Sequence, residues 1–377
     1  MLALLVVASL AAAGVLGPWP RGASAASPLS ARADQTPTGY LLAAENGDGG
    51  LGSAPGHPSS PLYSGWAALG LAAEGHNPAD VSRGGHSLLG YIQATVATDP
   101  GSLERTILVA RAAGASASDF GGHDLVAALQ RDIRRDGSVA DQVNLTTFAV
   151  LALRAAGVAP PARMLPWLVA QQDADGGFSF ATAGDQADID DTGAALEALA
   201  GTAPAASRRA ITYIRAGQNP DGGFPSQPGG DSDAQSAAWA VQGLIAAGVA
   251  PASLHDRSSR SPLQYLGSLI TPSGAIDYAR ATSQTPVWVT GEALMALAGK
   301  PLPLAPAPRA AATNAHAVEH RLGRHPSRPH AHRVDRRARR DAHPRRRVPA
   351  TPTPGPTPVA TVAGAVLALL LAPVGAE

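Results

Sequence analysis

Gln171-Gln172-Asp173-Ala174-Asp175-Gly176-Gly177-Phe178 and Gln218-Asn219-Pro220-Asp221-Gly222-Gly223-Phe224 are two copies of one turn. Each carries glutamine at the end of an apolar segment, then Asp-Gly-Gly and an aromatic ring, and then leads into a Leu/Ala-rich segment. Simpler versions stand at Asp48-Gly49-Gly50, Asp136-Gly137 and Ser273-Gly274, with a weaker sixth at Asp99-Pro100-Gly101. Measured from the residue before the glycine, or before Pro100, the spacings are 51, 37, 39, 46 and 52 residues. A period of about 45 residues is that of a two-helix repeat.

The segments after the turns, 64–75, 103–114, 144–157, 190–201, 233–248 and 285–299, are apolar on nearly every side, rich in Ala and Gly, and closed by glycine. That is the pattern of helices packed closely inside a structure, with glycine supplying the left-handed residue after the C-terminus. The segments before the turns, 39–45, 86–97, 123–133, 162–172, 207–218 and 261–270, carry more charge and fit an outer ring. Twelve helices in six pairs result. The expected fold is all-α, an α/α toroid over 34–300 with six inner helices inside six outer ones; an open superhelix of helix pairs is the alternative.

Composition sets the remaining bounds. The 377 residues are 45% apolar and 4% aromatic, enough for one large domain with appendages. Cysteine is absent, which excludes disulfides, thiolate nucleophiles, thioesters and cysteine-bearing metal sites. Between Asp34 and Lys300 there are 25 acidic and 15 basic residues, whereas 309–347 holds 12 arginines and three acids. The body is acidic and the tail basic.

QQDADGGF and QNPDGGF resemble the Gln-rich, Gly-aromatic repeats of the squalene-hopene cyclase and protein prenyltransferase superfamily, whose fold is the α/α toroid, and the resemblance covers about 260 residues. These segments are structural: glutamine bonds carbonyls near the helix end, glycine takes positive φ, and the aromatic ring plugs the turn. Asp188-Ile189-Asp190-Asp191-Thr192 matches the DxDDT motif of class II terpene cyclases residue for residue. The resemblance implies that Asp190 protonates a terminal alkene or epoxide of an isoprenoid-type ligand, supported by Asp188 and Asp191, with no metal or organic cofactor. An alkene is a very poor base, so its acid must stay protonated in an apolar cavity, and clustered carboxyl groups push their proton affinities apart.

Aligned on their shared small-residue ends, the inner helices put Asp190 level with Asn144 and Gln235, and Asp188 level with Asp233. Acids and Asn are ordinary residues of a helix cap and first turn, so capping is the competing account of Asp190 and Asp191. One turn further in, Trp66, Arg105, Phe148, Ala194, Trp239 and Glu292 are equivalent, which predicts a partly aromatic lumen, with core packing as the other fate of such residues. Three features depart from the family pattern: there is room for one toroid and no second helical domain, only 16 aromatic residues are present, and the ends of the chain suggest export. The prenyltransferase branch also binds zinc through a cysteine this chain lacks.

At the start, an apolar run over 2–16 and the triplet Ala23-Ser24-Ala25 give the layout of a signal peptide over 1–25, a single membrane span being the other reading. Residues 301–358 read as a Pro/Arg/His-rich stalk, and 359–375 as a short membrane anchor. An exported protein tethered to the membrane or cell envelope is expected. The Arg/His block has no aromatics and no helical pattern, so no nucleic-acid partner is expected. Two rivals to a cyclase are a non-catalytic extracellular toroid that binds a small molecule and a cell-surface interaction module.

Overall fold

The structure is a computed structural model and describes residues 35–255 and 259–310. The expected signal peptide, most of the stalk and the anchor lie outside the described residues.

Among the described residues twelve α-helices run in six pairs, as the repeat predicts. The inner helices are α2 (Pro61–Ala73), α4 (Pro100–Ala113), α6 (Val143–Ala155), α8 (Ile189–Leu199), α10 (Ala234–Ala246) and α12 (Pro286–Leu297). Each packs on its two neighbours, and α12 packs on α2, so the ring closes and the open superhelix is excluded. The outer helices are α1 (Pro37–Ala44), α3 (Leu88–Ala94), α5 (Leu125–Asp132), α7 (Met164–Ala170), α9 (Pro204–Ala216) and α11 (Pro262–Ser268). They lie on the outside of their inner partners.

Local chemistry explains the boundaries. Six helices start on proline, whose fixed φ and missing N–H suit a first helical position. In the turns, Gly176 and Gly222 take φ of +98° and +92°, and Asp175 and Asp221 each accept the backbone N–H two residues on. Phe178 and Phe224 are fully buried behind them. The weaker sixth turn at Asp99-Pro100-Gly101 is instead a helix start, because Asp99 accepts the N–H of Ser102 as the N-cap of α4. The outer segment expected at 86–97 is shortened by a hairpin that pairs β1 (Ser82–Arg83) with β2 (His86–Ser87).

Glutamine ties successive repeats together. Gln172 Nε2 donates to the carbonyls of Gly176 at 2.8 Å and Ala206 at 3.0 Å, the latter on the next outer helix. Gln218 does the same for Gly222 and Leu254.

The expected end of the body at Lys300 is corrected by the next ten residues. Leu302, Leu304 and Ala307 are buried. Leu302 N donates to Glu197 Oε2 on α8 at 2.7 Å, Ala307 N to the carbonyl of Ala112 on α4, and Arg309 pairs with Asp80 at 2.8 Å. Two leucines and free backbone donors make this Pro-rich stretch a strap across the C-terminal ends of the inner helices.

Candidate active site

The DxDDT segment lies where α8 begins, and its five residues have separate jobs. Asp188 is the N-cap, with Oδ1 accepting the N–H of Asp191 at 2.7 Å. Its equivalent Asp233 caps α10 in the same way, through Ser236 N at 2.9 Å. Thr192 Oγ1 accepts the N–H of Phe178 at 2.8 Å and donates to the carbonyl of Asp188. Ser64, Thr146 and Thr290 accept the N–H of Leu51, Val139 and Ile276 at the corresponding places. The first Asp and the Thr of the motif are therefore recurring structural elements of the repeat.

Asp191 is held by Asn144, whose Nδ2 reaches from α6 to Asp191 Oδ1 at 2.7 Å. Asp190, at the position of Asn144, faces α10 near Ser236, but the Ser236 hydroxyl donates to Asp233 Oδ2 at 2.9 Å. Asp190 Oδ1 is closed off from solvent and has no hydrogen-bond partner. The cap itself is thus Asp188, while Asp190 and Asp191, for which capping is the competing account, lie in the first turn of α8.

Electrostatics set Asp190 apart further. Burial first, then the charge of Asp233, push its carboxyl well above the usual carboxylate range; the Ser236 hydroxyl acts the other way, and Asp191 and Glu292 add to the rise. Asp188 is raised mainly by burial and the charges of Asp191 and Asp190, and Asp191 by burial against the hydrogen bonds from Asn144 and Asp188. Asp233 is pushed up to about 6.

One turn further along the inner helices, Trp66, Phe148 and Trp239 meet edge to face, with ring centroids 6.2, 5.9 and 5.5 Å apart. They come from α2, α6 and α10, alternate members of the ring, so the rings meet across the lumen. Trp288 stacks on Trp66 at 6.2 Å and donates its indole N–H to Glu292 Oε1 at 2.7 Å. Gln235 Nε2 bonds Glu292 Oε2 at 2.7 Å. The equivalent Arg105 turns back to its own helix, donating to Ser102 Oγ, and burial lowers its pKa to about 10.

Burial grades along this axis. Leu62, Gly101, Asn144, Asp190 and Gln235 are half-buried, and Trp66 and Trp239 retain a few percent exposure. Three residues on, Leu69, Leu108, Leu151, Gln242 and Met295 are sealed, with Glu197 nearly so. The partly aromatic lumen is thus closed at one end, as a blind cup: Asp190, Asn144 and Gln235 stand at its rim and the three aromatic rings floor it.

Sequence alignment of the repeats brought Asn144, Gln235, Trp66, Phe148, Trp239 and Glu292 into view. It missed Trp288, whose signal is its place four residues before Glu292, level with Asp190. Among the described residues no three His, Asp or Glu side chains converge as a metal-binding set.

No family profile matches the chain, and no curated relative matches it. Solved structures do. The type II terpene cyclase MstE from Scytonema superposes with a TM-score of 0.52 at 16% identity, covering 72% of this chain and 97% of that one. A variant of MstE in complex with geranylgeranyl dihydroxybenzoate, its substrate, gives 0.52 at 15% identity over 72% and 97%. Another, in complex with merosterolic acid A, its product, gives 0.51 at 15% over 72% and 96%. The chain has the α/α toroid fold of the type II terpene cyclases. This one toroid matches MstE over nearly the whole length of that chain.

Proposed function

We propose that this toroid is a proton-initiated cyclase of an isoprenoid-type polyene, with Asp190 as the acid and Asp188 and Asp191 holding it in place. The observation that carries this reading is the buried Asp190 Oδ1 without a hydrogen-bond partner, beside the charges of Asp233, Asp191 and Glu292. Burial and these neighbouring charges favour the neutral acid, and losing its proton to an alkene places the new cation above Trp66, Phe148 and Trp239. The named substrate of MstE, a geranylgeranyl compound, supports an isoprenoid for a toroid of this length.

The test incubates the full chain with geranylgeraniol, squalene and geranylgeranyl dihydroxybenzoate and identifies cyclic products by mass spectrometry. Asp190→Asn is expected to lower turnover by roughly a hundredfold to ten-thousandfold. Unchanged turnover in that variant removes the assignment.

A non-catalytic binding toroid is the second reading, favoured by the contact of the three rings across the lumen. It predicts ligand retention that Asp190→Asn leaves unaltered and no product from any polyene. For placement, the apolar run over 2–16 and the Pro/Thr-rich tail support export and tethering to the cell envelope, where the protein would also serve as a surface module. Recovery of the uncleaved chain in the cytosol would remove that part.

A further inference from the structure

We infer that Glu292 is the group that takes a proton back at the end of the reaction, so that the cup holds an acid, Asp190, and a separate proton acceptor. This rests on the proton-initiated reading above and adds a role for a residue outside the DxDDT motif.

The two carboxyl groups sit in opposed settings. Asp190 Oδ1 lacks any donor. Glu292 has a donor on each oxygen, Trp288 Nε1 on Oε1 and Gln235 Nε2 on Oε2, both at 2.7 Å, and the Trp239 side chain donates to it as well. An indole N–H donates only, and an amide NH2 likewise, so these partners select the charged carboxylate over the neutral acid. Burial opposes them and is the largest influence, Asp233 adds its repulsion, and the balance leaves Glu292 at about 7, where it can both accept and release a proton. Paired titratable groups with opposed environments mark acid and base.

Position agrees with the role. Glu292 is level with Trp66, Phe148 and Trp239, and its indole partner Trp288 is stacked on Trp66. A cation held against these faces would have the carboxylate at their edge.

The step balances. The Asp190 O–H adds its proton to the terminal alkene, leaving a carboxylate and a tertiary cation, and internal alkenes close the ring and move the cation. The Glu292 carboxylate then removes a proton from the carbon beside the cationic centre; that C–H pair becomes the new C=C. The product is an isomer of the substrate. Release of the Glu292 proton to solvent and uptake of one by Asp190 restore the starting state.

Two measurements test this. In Glu292→Gln, the polyene should still be consumed while alkene product gives way to alcohol formed by water capture, the alkene-to-alcohol ratio falling about tenfold, and Glu292→Asp should recover alkene. An unchanged product spectrum overturns the proposal. The second needs no turnover: dodecyltrimethylammonium, below its micellar concentration, mimics the cation, and its binding is followed by tryptophan fluorescence. Glu292→Gln should weaken it about tenfold and Asp190→Asn by less than about twofold. Equal affinity in Glu292→Gln overturns the carboxylate's role toward a cation. Glu292-dependent binding with no product from any polyene supports that role and removes the cyclase reading alone.

Discussion

Gly243 of α10 lies so close to Gly193 of α8 that a Cβ on Gly243 would stand 2.5 Å from the Gly193 carbonyl oxygen. Gly70 and Gly291 make the same approach between α2 and α12. Two of the six seams of the ring are thus backbone-to-backbone contacts, and the first draws α8, the bearer of Asp190, against the helix that carries Asp233 and Gln235. Gly243→Ala is expected to destabilise the fold by about 1–3 kcal/mol, because backbone cannot move aside as a side chain would. The exposed helical Gly267, where an added methyl would have nothing within 4 Å, serves as control: Gly267→Ala should stabilise by roughly 0.5–1 kcal/mol. Denaturant unfolding of both variants reads the difference.

Gln172 fastens two successive repeats through one side chain. Its amide bonds Gly176 and Ala206, and its Oε1 accepts from Arg209. Gln172→Ala strands buried carbonyls and should lower stability by about 1–3 kcal/mol. Gln172→Glu keeps the shape but sets an acceptor against those carbonyls, so it should be at least as damaging; a harmless Gln172→Glu would mean that packing, not hydrogen bonding, makes the contact.

What could be read from the residues divides along physical lines. The turns were legible because Asp175-Gly176-Gly177 and Asp221-Gly222-Gly223 need glycine at positive φ and an Asp oxygen to close them, a local requirement that repeats. Trp66, Phe148 and Trp239 were legible because helical equivalence carries over from repeat to repeat. The division of labour between Asp188 and Asp190 was not, since it turns on which residue caps α8, a matter of one position. Leu302 and Leu304 were hidden among prolines, and only the tertiary contact with Glu197 reveals the strap. The bond of Gln235 to Glu292 joins residues 57 apart and has no local signature.

Glu197 makes stability depend on pH. Burial raises its pKa from 4.5 to about 8, against the lowering effect of the Leu302 N–H. The folded state therefore holds a proton that the unfolded chain has lost between those values, so stability is full below about 4.5 and declines as pH rises to about 8. Glu292, at about 7, and Asp233, at about 6, act in the same direction. Glu197→Gln retains an oxygen for Leu302 N and should gain on the order of 2 kcal/mol at pH 8 while changing little at pH 4.5. Thermal melts across this range would show a flatter profile for the variant; parallel profiles would refute the assignment.

Asp190 and Asp188 should respond to substitution with opposite sign. Asp188 caps α8 through the N–H of Asp191, so Asp188→Ala removes a satisfied bond and should cost about 1 kcal/mol. Asp190 has a buried oxygen with no partner and a carboxyl raised by burial and by Asp233, so each deprotonation is resisted by the folded state. Its protonated form is favoured on folding, and the parent protein loses stability as pH climbs above the ordinary carboxylate value of 3.8 toward the raised one. Asp190→Asn removes that ionisation altogether. It should therefore match the parent near the low end of the range and exceed it by about 1–2 kcal/mol at pH 8, even as any proton-initiated turnover disappears. Such a gain is what a residue kept for chemistry rather than for folding predicts. Denaturant midpoints at the two pH values decide it: a loss in Asp190→Asn comparable to that in Asp188→Ala would make Asp190 a structural residue and leave the acid of the cup unassigned.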